Sequence, residues 1–150
     1  MTDAFGGEGG IAKFNRDLLT ALCSFPEVEE VVAIPRVMAN PPGPLPVRLT
    51  YVATGRNSKI KYVLNVLETV LRHPKFDLII CGHIHLIPLA YFIKLFFTHC
   101  PLVLITYGIE AWKPTGRFFV DSLVKKIDAF IAVSDFTSRK FLGWTYLNGR

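Results

Sequence analysis

A chain of 150 residues has the length of one domain with a buried core, and a composition of 51% apolar and 19% charged residues excludes intrinsic disorder. The mean hydropathy of +0.35 is high, yet Lys94 splits the apolar stretch 76–109 and His83, His85, Pro88, His99 and Pro101 interrupt it; the roughly 18–20 clean apolar residues of a spanning helix are not there. The formal charge is +5, and the segment from Arg48 to Lys75 carries it: Arg48, Arg56, Lys59, Lys61, Arg72 and Lys75 stand against Glu68 alone, six minus one, so the rest is balanced.

In chain order, the glycine-rich turn Gly6-Gly7-Glu8-Gly9-Gly10 opens a helix over 9–24, in which Ile11, Phe14, Leu18, Leu19 and Leu22 share one face. Such turns normally follow a strand, and Met1 to Phe5 is short for one, so the chain reads as beginning inside its first βα unit. The β-branched run 28–34 predicts a strand that Pro35 stops. The proline-rich run 40–46 excludes regular structure, and 47–53 predicts another strand. Ser58 suits an N-cap for a helix whose stripe is Ile60, Val63, Leu64, Leu67, Val70 and Leu71, ending near His73-Pro74. Strands are then expected at 76–81, 102–106 and 128–133, and helices at 86–97, 118–126 and from Ser134 to about Leu142.

Three largely apolar strands, each followed by a helix, describe an α/β fold with a Rossmann-like parallel sheet covered by helices on both faces. Ligands bind at the carboxyl edge of such sheets. The segments there are 82–85, 107–112 and 134–137, and they are the polar, glycine-bearing parts of an apolar half-chain.

Several residues could carry chemistry. Gly9 and Gly10 at a helix start would let a phosphate approach backbone N–H groups, with Lys13 one turn on adding positive charge; the bland alternative is a tight turn that needs positive φ. His83 could hydrogen-bond a sugar hydroxyl or phosphate, with His85, two positions on, expected to point elsewhere; the bland alternative is that one of the pair, His85 first, caps the following helix or packs in the core. Tyr107, Gly108, Glu110 and Trp112 bring a phenol, a carboxylate and an indole to a strand end, a composition suited to a carbohydrate or polar-lipid acceptor; equally, Glu110 reads as a surface charge and Trp112 as a core plug. Ser134 and Thr137 read first as capping residues. Cys23, Cys81 and Cys100, odd in number and set in apolar surroundings, read as buried reduced thiols. No histidine, cysteine or carboxylate set has zinc-ligand spacing. The basic segment carries no recognisable nucleic-acid reading element, so nucleic acid is not an expected partner. No leader pattern follows Met1, and a cytoplasmic, membrane-peripheral location is expected.

Four strings occur in order: Gly-Gly-Ile-Ala-Lys-Phe-Asn-Arg from Gly9 to Arg16; Asp77-Leu78-Ile79-Ile80-Cys81-Gly82-His83; Tyr107-Gly108-Ile109-Glu110-Ala111-Trp112; and Val133-Ser134-Asp135-Phe136-Thr137. Together they resemble the amino-terminal domain of glycosyltransferase family 4, the retaining GT-B family. The resemblance implies an acceptor-side half of a two-domain enzyme that uses a nucleotide-sugar donor and a glycan or lipid acceptor, with no obligatory metal or other cofactor. It further implies that Gly9 and Gly10 meet a diphosphate or acceptor phosphate and that His83 matches the histidine after the fourth strand. Tyr107 stands where many members carry a donor-contacting histidine before Gly-x-Glu. By this resemblance the first strand and the carboxyl-terminal donor domain lie outside the chain, which is expected not to turn over substrate by itself. Peripheral contact of the basic segment with anionic membrane, and association through an exposed apolar face, are the further partner expectations. The alternative is a non-catalytic α/β binding or interaction module.

Overall fold

The computed structural model describes residues 1–54, 58–73 and 75–147; Arg56 of the basic run and Pro74 at the expected helix end lie outside the described residues. These residues form two compact units, Met1–Arg72 and His73–Arg150, each with its own parallel sheet and apolar core.

The first unit comprises α1 (Gly9–Ser24), β1 (Val31–Ala33), β2 (Leu49–Tyr51) and α2 (Lys59–Arg72). The strands pair in parallel, Val31 opposite Leu49 and Ala33 opposite Tyr51. They are shorter than the β-branched runs suggest, because the backbone at their starts is used for turns: Val28 N–H donates to Phe25 O at 3.1 Å and Leu49 N–H to Pro46 O at 3.1 Å. The Arg48 guanidinium holds the first of these turns by donating to Phe25 O (2.7 Å) and Val28 O (2.8 Å). Ala4, Leu19, Ala33 and Leu49 form the core, with Phe5, Cys23, Val31 and Tyr51 packed on it.

The peptide before α1 is not a strand, but it runs alongside the segment that follows β1. The Met1 ammonium donates to Ile34 O (3.0 Å), Arg36 N–H to Met1 O (3.0 Å), Val37 N–H to Thr2 O (2.9 Å) and Asn40 N–H to Gly6 O (2.9 Å). Gly6 is required by this approach, since a Cβ there would lie 2.1 Å from Met38 Cγ. Two α1 side chains fasten the same turn: Asn15 Nδ2 donates to Asp3 O at 2.5 Å, and the Arg16 guanidinium to Ala4 O (2.9 Å) and Gly7 O (2.7 Å).

The second unit runs β3 (Ile79–Cys81), α3 (Ile87–Phe96), β4 (Leu102–Thr106), α4 (Phe118–Val124), β5 (Ala129–Ala132) and α5 (Asp135–Thr145). The sheet is parallel in the order β3-β4-β5, with Cys81 opposite Leu104 and Thr106 opposite Ala132. β4 is central and buried on both faces, as its unbroken apolar run requires: Leu102 and Leu104 are 0% exposed and Ile105 is 1% exposed. Ile87, Val120, Leu123, Val124 and Phe141 from the helices complete the core around Leu102 and Leu104. At the amino edge of the sheet Asp128 accepts from Leu102 N–H (2.6 Å) and pairs with Lys94, tying α3 to the starts of β4 and β5.

All three cysteines are free thiols; Cys81 and Cys100 are buried as expected, whereas Cys23 is half-buried. Among the described residues no helix is long and apolar enough to cross a membrane.

Candidate functional site

The parallel register of β3, β4 and β5 brings the segments after Cys81, Thr106 and Ala132 to one edge of the sheet. Five of the site residues expected from sequence, His83, Tyr107, Glu110, Ser134 and Thr137, are gathered in this way, along with Gly108. Their side chains differ in how far the fold itself engages them.

The chain leaves β3 at the buried Gly82 and turns into a single 3-10 turn, Ile84–Leu86, that leads into α3. His83 is its N-cap: His85 N–H donates to His83 Nδ1 at 3.2 Å. This corrects the assignment of the capping role to His85. An accepting Nδ1 is unprotonated, so the neutral ring carries its proton on Nε2. The two imidazoles do not point in different directions, the expectation for positions two apart; the 3-10 turn leaves their centroids 5.3 Å from each other. Behind them, burial pushes the Cys81 thiol up to about 11, and the protonated thiol donates to His83 O at 3.2 Å.

After β4, Tyr107-Gly108 is followed by a second 3-10 turn, Ile109–Ala111. Glu110 folds back over this turn, and its Oε1 accepts from both Tyr107 N–H (2.7 Å) and Gly108 N–H (3.0 Å). The carboxylate is therefore neither a plain surface charge nor simply a ligand group, because it shapes the strand end. Trp112, 36% exposed, donates from Nε1 to Thr137 Oγ1 at 3.2 Å and packs edge-on against Phe136 with centroids 5.0 Å apart. Trp144 of α5 donates to Ala111 O at 2.9 Å. Two indoles, Trp112 in the loop and Trp144 on the helix, thus bind the turn after β4 to α5.

Ser134 caps α5 by accepting from Thr137 N–H at 3.2 Å, and its hydroxyl also meets Thr137 Oγ1 at 3.1 Å. Ser134 is exposed, whereas Thr137 is only 2% exposed and lies between Ser134 and Trp112. Thr137 is thus a positioning residue of the edge and does not itself offer an accessible hydroxyl.

Gly9, Gly10 and Lys13 belong to the first unit. Gly9 has φ +85°, so the need for positive φ applies to it. Gly10 has no such need, and a Cβ built there meets nothing within 4 Å. Glu8, the N-cap of α1, makes no side-chain cap hydrogen bond. Lys13 is paired with Asp17 at 2.6 Å on the exposed face of the helix, which partly cancels the charge it would bring to the turn.

A concave place that the sequence reading missed lies in the first unit. It is a cleft of about 280 Å³ lined by Arg36, Val37, Ser58 and Lys59. The available signal was a cation three residues past the end of a strand, directly after Pro35. Asp121 was also missed: it pins the loop before α4 by accepting from Thr115 N–H (2.9 Å) and Oγ1 (2.7 Å). Among the described residues no three His, Cys, Asp or Glu side chains are grouped to hold a metal ion.

In class, the protein is α/β, with parallel strands alternating with helices in the Rossmann-like manner and a polar, glycine-bearing carboxyl edge on the sheet of its second unit. No protein-family model matches the chain, and no curated protein matches it either.

Proposed function

We propose that the chain is the acceptor-side domain of a retaining glycosyltransferase resembling family 4, acting between a nucleotide-sugar donor and a glycan or lipid acceptor. The observation that carries this reading is the common edge of β3, β4 and β5, where an imidazole, a phenol, a hydroxyl and two half-exposed to exposed aromatic rings stand beside Gly82 and Gly108. Imidazole, phenol and hydroxyl groups donate to and accept from sugar hydroxyls. His83 through Nε2–H, the Tyr107 phenol and the Ser134 hydroxyl are the contacts assigned here, with Glu110 bracing the backbone of Tyr107 and Thr137 meeting Ser134. The start of α1 supports the same reading. Alanine would suit a helix better than Gly10, and the space over Gly10 leaves room for a diphosphate to meet backbone N–H groups. Donors of that kind stabilise a leaving diphosphate without a metal. The reading assigns binding, not turnover, to this chain, and places it in the cytoplasm with its basic run toward an anionic membrane.

Saturation-transfer NMR on the full chain with a panel of nucleotide sugars and glycans tests the proposal. Sugar-ring signals are expected, and His83→Ala and Tyr107→Phe should each weaken them about threefold or more, as loss of one hydrogen bond does. A folded chain that gives no signal with any member of the panel rejects it.

A second reading, an association module, is favoured by a specific observation. Phe92, Leu95 and Phe96 of α3 and Phe118 and Phe119 of α4 are exposed, Phe118 by 87%. Single apolar residues at a surface are ordinary, but five on two elements are not scattered singletons. Light scattering after size exclusion discriminates: a monomer at every concentration removes this reading.

A further inference from the structure

We infer that the cleft lined by Arg36, Val37, Ser58 and Lys59 is an anion site that takes a phosphate group, as a phosphomonoester or diphosphate. The inference does not rest on the glycosyltransferase reading, because it stands on the geometry of a cleft in the first unit: Arg36, Val37 and Ser58 have no role in that reading, and only Lys59 belongs to the basic run that it turns toward a membrane. Arg36 and Lys59 place two cations around one cleft of about 280 Å³, and no carboxylate lines it among the described residues. Among the described residues neither side chain makes an ion pair or hydrogen bond. Two like charges that share a concave surface repel each other, and a bound anion relieves this.

The cations are mounted on fixed backbone. Pro35 is buried, and Arg36 N–H is held by Met1 O (3.0 Å) and Thr2 O (3.1 Å), with Val37 N–H on Thr2 O. Across the cleft, the first turn of α2 is closed by Tyr62 N–H to Ser58 O at 2.9 Å, and Tyr62 is itself buried. Arg36 follows β1 by three residues and Lys59 opens the helix after β2, so both stand at the carboxyl edge of a parallel pair, where ligands of α/β sheets bind. A planar guanidinium, an ammonium and a hydroxyl are the groups that recognise phosphate oxygens. The volume of about 280 Å³ falls just below the range for ligand pockets, about 300–1,000 Å³, which suits a phosphate group more than a whole nucleotide sugar.

The test is a titration of the full ¹⁵N-labelled chain with inorganic pyrophosphate at low ionic strength, followed by amide chemical shifts, beside co-sedimentation with phosphatidylcholine vesicles with and without phosphatidic acid. The amides of Val37, Lys59 and Ile60 are expected to move with pyrophosphate. Arg36→Gln and Lys59→Gln should each weaken binding about threefold to tenfold, the range for losing one charged hydrogen-bond donor at an accessible site. Lys140→Gln, on the exposed face of α5, should leave it unchanged. Dependence on Arg36 and Lys59 in the pyrophosphate arm identifies a soluble phosphate-bearing ligand; the same dependence with phosphatidic acid vesicles alone identifies a lipid headgroup. If binding in both arms is absent, or indifferent to the two substitutions, the inference is overturned. Should Arg36→Gln melt early, Lys59→Gln decides, because Lys59 is an exposed residue at a helix start.

Discussion

Glu110 shows how one residue can answer two questions differently. A sugar ligand and a strand-end brace both call for a carboxylate after Tyr-Gly, and the structure supplies the brace, with two backbone N–H groups on one oxygen. Glu110→Ala should therefore destabilise the second unit by about 1–3 kcal/mol, the cost of stranding donors, and Glu110→Gln by less, since an amide oxygen still accepts. A pure ligand role would leave urea midpoints unmoved in both variants. Cys81 gives the pH prediction at this scale. Its thiol is raised by burial from 9.0 to about 11, so the folded state holds the proton more tightly than the unfolded state does. The stability it contributes is fully present below pH 9 and is lost as pH rises toward 11, with the sign set by the protons released on unfolding. Melting temperature should fall over that window, and Cys81→Ala should flatten the fall. At this scale the sequence could place a thiol, a carboxylate or an imidazole on a segment. Its hydrogen-bond partners stayed hidden, because they depend on a 3-10 turn of three residues that carries no periodicity.

Among the elements, α1 opens on two adjacent glycines with different reasons to be there. Gly9 sits at φ +85°, so Gly9→Ala should cost about 1–2 kcal/mol in strain. Gly10 faces open space in a conformation alanine adopts, so Gly10→Ala should stabilise the fold by about 0.5–1 kcal/mol. On the proposed function that same variant weakens nucleotide-sugar binding, a gain in stability joined to a loss of affinity that thermal melts and titration would reveal together. An unaltered affinity would count against a ligand at this helix start. Helices were the more legible elements in extent, 9–24 matching Gly9–Ser24 and Ser58 preceding α2 at Lys59–Arg72, but not in face: Ile60, Val63, Leu64 and Leu71 of the expected α2 stripe are exposed, whereas Tyr62, Val66 and Thr69 are buried. Strands were legible in position but long by several residues, except Leu102–Thr106, because turns such as Pro46 to Leu49 consume backbone groups that composition alone assigns to a ladder.

At the scale of the molecule, two cores stand on two parallel sheets, Leu19 and Leu49 in one and Leu104 and Phe141 in the other. Leu104→Ala, at a fully buried position of β4, should cost about 2–5 kcal/mol. Hydrogen exchange should then quicken across β3, β4 and β5 while amides of α1 keep their protection, since cooperative openings follow contiguous units. Equal acceleration in both units would show a single cooperative block instead. The sequence by itself determined the α/β class, the order of helices and strands and the polar carboxyl edge, because hydrophobic period and punctuation by glycine and proline are local properties. Only the tertiary structure decided which edge residues brace the fold and which stay accessible, that Thr137 is enclosed between Ser134 and Trp112, and that Arg36 shares a cleft with Lys59. The last two depend on groups 23 and 25 residues apart being brought around one cleft or within hydrogen-bond reach, and no local pattern in a chain encodes such a meeting.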